Sequence, residues 1–351
     1  MKAALLVGKK KFTIKEIPIP DVSDDEVLIR IEVTGICGSD VHVFNGEQDY
    51  PYPVAIGHEI VGRIEKIGSR VKKHKTAQRV SILPSETCGR CAFCKSGRTN
   101  LCDNILCIGE LPDNGGFAEY VKVKSNMVFQ VPETVTLHEA SLMEPVAAAH
   151  YISKNVVLAY GKNAKIGIMG MGTIGLLILQ VLKRWFHCSE VYGFDIIDER
   201  LTLAKKLGAD EVYNLKKPLP AEWPSRSYDS PDLYKSGVFD VIIDCAAVTT
   251  SLNGAIKLVK KTGRVVLVGE PSGPITLDIV SLKLIVLGEI TVIGTMQYTA
   301  GDFTQAIKIL QNHLIDSKSM VTKTEPLSNV QKAFEDYIGN RAEQIKVLVE
   351  S

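Results

Sequence analysis

Charge of one sign is what this sequence lacks. Its 41 Lys and Arg are matched by 40 Asp and Glu, the formal net charge is +1, and no long block of like charges occurs. A surface without a basic stripe sets nucleic acid and anionic membrane aside as partners and favours a small-molecule substrate. Long apolar runs are missing too. The longest uncharged stretch, Ile166 to Leu182, approaches a membrane span in length, but Gly170, Gly172 and Gly175 interrupt it and it resolves into strand, turn and amphipathic helix. Met1 to Lys11 scatters lysines around a short apolar strand, with no hydrophobic region leading to a cleavage site, so the chain is expected to be cytoplasmic. There is no internal repeat and no low-complexity tract, which sets solenoid arrays aside. Cysteine is too sparse for a disulfide framework: of eight, four stand at metal spacing and the others are scattered, a pattern that fits a reducing cytosol.

What is present, in 351 residues with a hydrophobic fraction of 45%, is ample core for two domains. Lys165 to Gly170 reads as a buried strand entering Gly170-Met171-Gly172-Thr173-Ile174-Gly175, a G-x-G-x-x-G turn that opens a helix. Ile174, Leu177, Ile178, Val181, Leu182 and Trp185 then recur at helical spacing on one face. Gly170 permits the tight turn, Gly172 lets a pyrophosphate approach the backbone, and Gly175 lets helix and strand pack closely. The helix N-terminus offers unpaired N–H groups to the phosphates. A second strand, Val191 to Asp195, ends in an acid, which accepts from the ribose hydroxyls of NAD and repels the 2′-phosphate of NADP. A glycine turn alone could be structural; strand, turn, helix and acid in register point to a dinucleotide.

Ahead of this unit, short alternating strands at Ala3 to Val7, Glu26 to Val33 and Ile60 to Ile67 predict an antiparallel, barrel-like β domain. Two groups interrupt it: Gly35-Ile36-Cys37-Gly38-Ser39-Asp40-Val41-His42 and Gly57-His58-Glu59. A lone Cys is usually a small core residue and a lone His a satisfied polar group. On glycine-bounded turns with acids nearby, they offer the ligands of a catalytic zinc, three from protein with the fourth position open. Cys88, Cys91, Cys94 and Cys102 can close a tetrahedron on a second zinc; with no open position, that site holds structure only. Glu144-Pro145 stands between two apolar helical stretches, Leu137 to Met143 and Val146 to Ile152, where an acid is costly unless paired or metal-bound. His58 and Glu59 are adjacent and need a bend, for which Gly57 is suited, to share one ion, so both Glu59 and Glu144 stand as candidate third ligands.

After the dinucleotide unit, a helix over Glu199 to Leu207 should end at Gly208. Strands are expected at Glu211 to Tyr213, Phe239 to Asp244, Gly263 to Val268 and Ile290 to Gly294, with a helix over Leu252 to Val259. Leu215 to Gly237, with four prolines, is expected to hold one short helix capped by Ser230-Pro231. Phe303 to Leu310 and Val330 to Tyr337 should be helices that rejoin the front domain.

Taken together, the Cys37 and His58 motifs, the four-cysteine lobe, Gly115-Gly116-Phe117-Ala118-Glu119-Tyr120, Glu144-Pro145, and Gly170 to Gly175 with Asp195 resemble the zinc-containing medium-chain alcohol dehydrogenases of the sorbitol (polyol) type, over essentially the whole chain. The resemblance implies an α/β protein: a GroES-like β-barrel catalytic domain over residues 1–147, a Rossmann coenzyme domain with a doubly wound parallel sheet over 148–290, and a return to the catalytic domain over 291–351. It implies NAD, two zinc ions per subunit, a homotetramer, and an active site in the cleft. Coenzyme contacts are then expected at Gly170, Gly172, Thr173, Ile174, Gly175, Asp195, Arg200, Val268 and Met296. Substrate contacts are expected at Gln297 and Tyr298. Ser39 would accept the alcohol proton and pass it through the ribose to His42, although Ser39 could simply cap its turn. Glu144 matches the polyol members, which carry Glu where long-studied alcohol dehydrogenases carry a third Cys ligand. Two positions depart from the pattern. Ala77-Gln78-Arg79-Val80 replaces Gly-Asp-Arg-Val, and Gln297 replaces the Arg that precedes the Tyr in sorbitol dehydrogenases, which shifts the expectation from sorbitol toward another sugar alcohol, a cyclitol or a diol. An enzyme of simple secondary alcohols and a non-catalytic NAD-binding sensor are the competing readings.

Overall fold

The structure is a computed structural model that describes residues 1–48, 50–109, 115–271 and 273–351. Contacts divide the chain into two units, Met1–Ala148 with Tyr298–Ser351, and Ala149–Gln297. The second boundary lies beyond residue 290 because the strand Thr291–Gly294 pairs in parallel with Val259–Leu267 and stays with that sheet.

The first unit is built on a seven-stranded sheet. Val321–Pro326, Lys346–Glu350, Glu26–Gly35, Glu59–Ile67, Arg79–Ile82 and Val128–Gln130 follow one another across it, and Tyr120–Lys124 also pairs with Glu26–Gly35. All these pairs are antiparallel except Val321–Pro326 with Lys346–Glu350. Those two run parallel because the helix Val330–Gly339 crosses over between them, as a parallel pair requires. The same helix brings Phe334, fully buried, to the centre of an aromatic cluster with Phe12, Phe44 and Phe117, at ring separations of 5.0, 5.1 and 5.5 Å. The C-terminal segment is therefore part of the front core rather than an appendage.

In the second unit six parallel strands lie in the order Glu211–Asn214, Glu190–Asp195, Lys165–Met169, Phe239–Asp244, Val259–Leu267, Thr291–Gly294. Counted along the chain this is 3-2-1-4-5-6, the doubly wound order whose reversal opens a crevice at the carboxyl end of the first strand. Thr173–Gln180 is α-helical and widens to π spacing over Val181–Trp185. The helix Asp198–Leu207 ends at Gly208 with φ 117°.

Two local expectations differ. Glu144 and Pro145 do not separate two helices; they lie in the first turn of one helix, Met143–Tyr160. Proline is tolerated there because first-turn N–H groups have no intrahelical partner. Between 215 and 237 no helix forms, since the prolines leave no run long enough to propagate one. Ser230 closes only an isolated turn, to the N–H of Leu233 at 3.1 Å. The segment is held instead by Trp223, whose ring lies 4.8 Å from that of Tyr213 and 5.4 Å from that of Phe239, and by buried Arg226, which donates to the carbonyls of Lys235, Lys257 and Val259.

Candidate metal and coenzyme sites

The first site follows from strand register. Gly35 pairs with Glu59 at the ends of adjacent antiparallel strands, so Cys37, just past one strand, and His58, just before the other, emerge side by side. Gly57, with φ 100°, supplies the left-handed turn ahead of His58. A Cβ on Gly35 would stand 2.0 Å from Glu59 Oε2, so glycine is what makes room for the carboxylate. One ligand atom from each of Cys37, His58 and Glu59 lies within 4.8 Å of the others. Asp40, buried in the helix Gly38–Asn45, binds the pair together: one oxygen accepts from the Cys37 N–H at 2.9 Å and the other lies 3.4 Å from His58 Nδ1. Burial disfavours a charged His58, but Asp40 and the Cys37 sulfur outweigh it and hold the ring well above the ordinary histidine range.

Glu144 is not among the three. Its Oε1 accepts from the hydroxyl of Tyr298 at 2.7 Å. Burial, with the nearby Glu59 charge, pushes its carboxyl up, while His58, Tyr298 and Lys346 oppose the shift. Burial and the Glu144 carboxylate push the phenol of Tyr298 well up as well. Ser39 lies in the first turn of Gly38–Asn45, and His42 Nδ1 lies 2.5 Å from Glu47 Oε2. Gln297 adopts φ 44° at the end of the other unit, a left-handed conformation uncommon for a non-glycine residue.

Cys88, Cys91, Cys94 and Cys102 also bring their sulfurs within 4.8 Å of one another. The Cys91 and Cys102 sulfurs are 4.0 Å apart, close to the edge of about 3.8 Å that a tetrahedron of Zn–S bonds of about 2.3 Å requires. Backbone N–H groups of Cys88 and Asn104 point at the Cys102 sulfur, and that of Cys94 at Cys91. N–H groups of Arg90 and Cys91 bring the Cys88 thiol down to about 6. Donors of this kind suit thiolates, so both groups fit zinc in number and chemistry, one with three ligands and one with four.

The coenzyme site fits a dinucleotide on its own geometry. Gly170 has φ 88°, and a Cβ on Gly175 would meet the Gly170 carbonyl oxygen at 2.0 Å, so neither tolerates a side chain. A Cβ on Gly172 would meet only Arg200 Nη1, at 3.5 Å, and Gly172 is itself the N-cap of the helix Thr173–Gln180, with no side chain to cap it, which places Thr173 and Ile174 in the first turn. Asp195 is buried and accepts from the N–H groups of Met171, Ile196 and Ile197 at 2.7, 2.7 and 3.0 Å. A carboxylate has about four acceptor positions, so about one is left for a ribose hydroxyl. Val268 donates its N–H to Asp244 O at 2.9 Å just past its strand, and Met296 is exposed beyond the last strand.

Two residues of the metal site escaped the sequence reading. Asp40 carried a signal, its spacing of three from Cys37 at a helix start. Lys346 carried none: a lysine opening the terminal strand reads as a surface residue, yet it is 1% exposed and its Nζ donates to both oxygens of Glu59 at 2.7 Å and to Ile36 O at 2.9 Å.

Residues 23–133 match the alcohol dehydrogenase GroES-like domain, and residues 173–312 match the zinc-binding dehydrogenase domain. The chain belongs to the zinc-binding alcohol dehydrogenases. It is 32% identical to the sorbitol dehydrogenase of Bacillus subtilis, over 99% of this chain and 97% of that protein. It is 34% identical to the D-arabitol-phosphate dehydrogenase of Enterococcus avium, over 98% and 95%. The solved structure of a short chain alcohol dehydrogenase of Escherichia coli CFT073, complexed with NADH, superposes with a TM-score of 0.88 at 31% identity, over 100% of this chain and 99% of that one. The first matched domain carries both candidate metal groups and the second carries the acid that follows the glycine turn. Among the described residues no helix is long and apolar enough to cross a membrane.

Proposed function

We propose that this dehydrogenase oxidises a secondary hydroxyl of a polyhydroxylated substrate with NAD, at a zinc held by Cys37, His58 and Glu59, and that a second zinc in the four-cysteine lobe is structural. The observation that carries the reading is the gathering of Cys37, His58 and Glu59 beside a second, half-buried acid, Glu144, that is not spent on the same cluster. Zinc bound there would supply a Lewis acid for the substrate hydroxyl, and NAD the hydride acceptor. The chain supplies the rest. Asp40 orients His58, leaving the ring's other nitrogen for the metal. Tyr298 fixes one oxygen of Glu144, so the carboxylate can accept from a neighbouring hydroxyl of the substrate with the other. Ser39 and His42 are the residues through which the hydroxyl proton leaves. The polyol class is supported by Glu144 and by the sorbitol and arabitol-phosphate relatives; Gln297, neutral where sorbitol dehydrogenases carry Arg, favours an unphosphorylated compound. A screen of NAD reduction over sugar alcohols, cyclitols, diols, their phosphates and simple alcohols tests this, and zinc-free protein turning over as fast as zinc-loaded protein would contradict it.

NAD is the expected coenzyme. Asp195 is buried, and a phosphate dianion beside it would meet a carboxylate already committed to three backbone donors. Wild-type kcat/KM should be higher with NAD than with NADP, and Asp195→Gly should narrow the gap; a wild-type preference for NADP would overturn the assignment.

Self-association, as a homotetramer, belongs to the same reading. The strand Thr291–Gly294 is exposed along its length at the edge of a parallel sheet. Val292 and Ile293 on it and Ile279, Leu282, Val286 and Leu287 on the helix Ile279–Gly288 are large exposed apolar residues, an arrangement that isolated chains seldom leave uncovered. Sedimentation equilibrium should give four chains, and a monomer at micromolar concentration would refute it. The eight free cysteines support a reducing, cytoplasmic setting, which cell fractionation tests.

A further inference from the structure

A buried lysine normally sheds its proton or finds a counter-charge. Lys346 has found one: its three donors meet three acceptors, both oxygens of Glu59 and the carbonyl of Ile36, so no donor is left over for a substrate. The Glu59 carboxylate thus faces two ways. It is fully paired with an ammonium, and one of its oxygens also lies within 4.8 Å of the Cys37 and His58 ligand atoms. Its far side is closed by Gly35, where not even a methyl group would fit. A carboxylate that shares its charge with a fixed cation is a weaker metal ligand than a free one, and a cation beside a cation site lowers the affinity of that site by charge repulsion.

We propose that Lys346 is a positioning residue that tempers Glu59: it holds the carboxylate at the edge of the Cys37–His58–Glu59 group and keeps its hold on the metal weak enough to yield when a substrate hydroxyl arrives. The inference rests on the zinc-dehydrogenase reading above. It differs in sign from the role of a simple structural brace. If Lys346 only braced Glu59, removing it would loosen the carboxylate and weaken metal binding. If Lys346 tempers Glu59, removing its charge tightens metal binding and slows turnover.

The test measures transfer of zinc from the full-length, zinc-loaded protein to a competing chelator, for the zinc that Cys37→Ala abolishes, in Lys346→Met, Lys346→Gln and Lys346→Arg. Outer ligand-shell changes typically cost about 10- to 100-fold in metal affinity or activity, and the same size of effect, with the sign of affinity reversed, is expected here. Lys346→Met and Lys346→Gln should hold that zinc at least about tenfold tighter, with kcat reduced by a similar factor and the KM for NAD little changed. Lys346→Arg, which keeps the charge, should restore both values most of the way. In cobalt-substituted protein the visible ligand-field bands should shift in the Met and Gln variants and return with Arg. Lys346→Gln retains donors for Glu59 and covers the case in which Lys346→Met does not fold. Unchanged or weaker zinc binding in the Gln variant, with an unshifted cobalt spectrum, would reduce Lys346 to a brace. If wild-type protein failed to reduce NAD with any alcohol of the screen while zinc affinity and cobalt bands moved as described, the proposed function would fail and the tempering of Glu59 would stand.

Discussion

Cys37→Ala is expected to abolish NAD reduction while the purified protein keeps its fold. Cys37 sits at the start of Gly38–Asn45 and is half-buried, so truncating it to Ala opens little cavity. Its chemical loss is far larger. Zinc lowers the pKa of a water molecule from about 15.7 to about 7, and a comparable shift on an alcohol is roughly 12 kcal/mol of charge stabilisation at 1.36 kcal/mol per unit. Hydrogen-bond donors supply much less, about 2.7 to 4 kcal/mol for one well-placed oxyanion donor. Activity should fall by at least about four orders of magnitude, with far-UV circular dichroism unchanged and one zinc fewer per chain by metal analysis. A variant that kept a tenth of wild-type turnover would remove Cys37 from the metal site.

Cys91→Ala should do the reverse, chiefly destabilising the chain. The lobe from Cys88 to Cys102 contains a four-residue helix, Ala92–Lys95, with no buried residue, and a three-residue 3₁₀ turn, so its own apolar packing cannot hold it. Structural zinc contributes about 10 to 16 kcal/mol of apparent binding free energy in small zinc-finger peptides. Losing one of four ligands forfeits much of it and leaves three thiols packed without their counter-ion. The expected result is protease cleavage between Cys88 and Cys102 and a lower Tm, with residual activity in whatever fraction stays folded. A variant as stable and as protease-resistant as wild type would show that the lobe holds no metal.

How much of this was legible before folding depends on range. The glycine turn and the cysteine lobe are local: their chemistry is carried by residues within a few positions of one another, and the structure adds distances to a pattern already visible. The parallel character of the sheet likewise follows from alternating strands and helices, whereas its strand order does not. That Glu59 rather than Glu144 gathers with Cys37 and His58 could not be read, because it depends on the pairing of Gly35 with Glu59 and on the engagement of Glu144 by Tyr298, 154 positions away. Lys346 was invisible for the same reason, since its partner lies 287 positions earlier in the chain. The segment from 215 to 237 misled in the opposite direction. Ser230-Pro231 is a sound helix start, but Trp223 and Arg226 hold the chain through tertiary contacts and no helix is needed.

The claim that this zinc-binding alcohol dehydrogenase is built for polyols is tested most directly by one ratio: kcat/KM for the best polyhydroxylated compound over kcat/KM for propan-2-ol. On this reading a second substrate hydroxyl completes the partly buried pair of Glu144 and Tyr298, and each polar group that the substrate covers but leaves unpaired costs about 1 to 3 kcal/mol. The account therefore predicts a ratio of at least about 10, rising toward 100 or more where two hydroxyls are engaged. A ratio of one or below would contradict it, returning the chain to the simple secondary-alcohol dehydrogenases and leaving Glu144 a structural carboxylate.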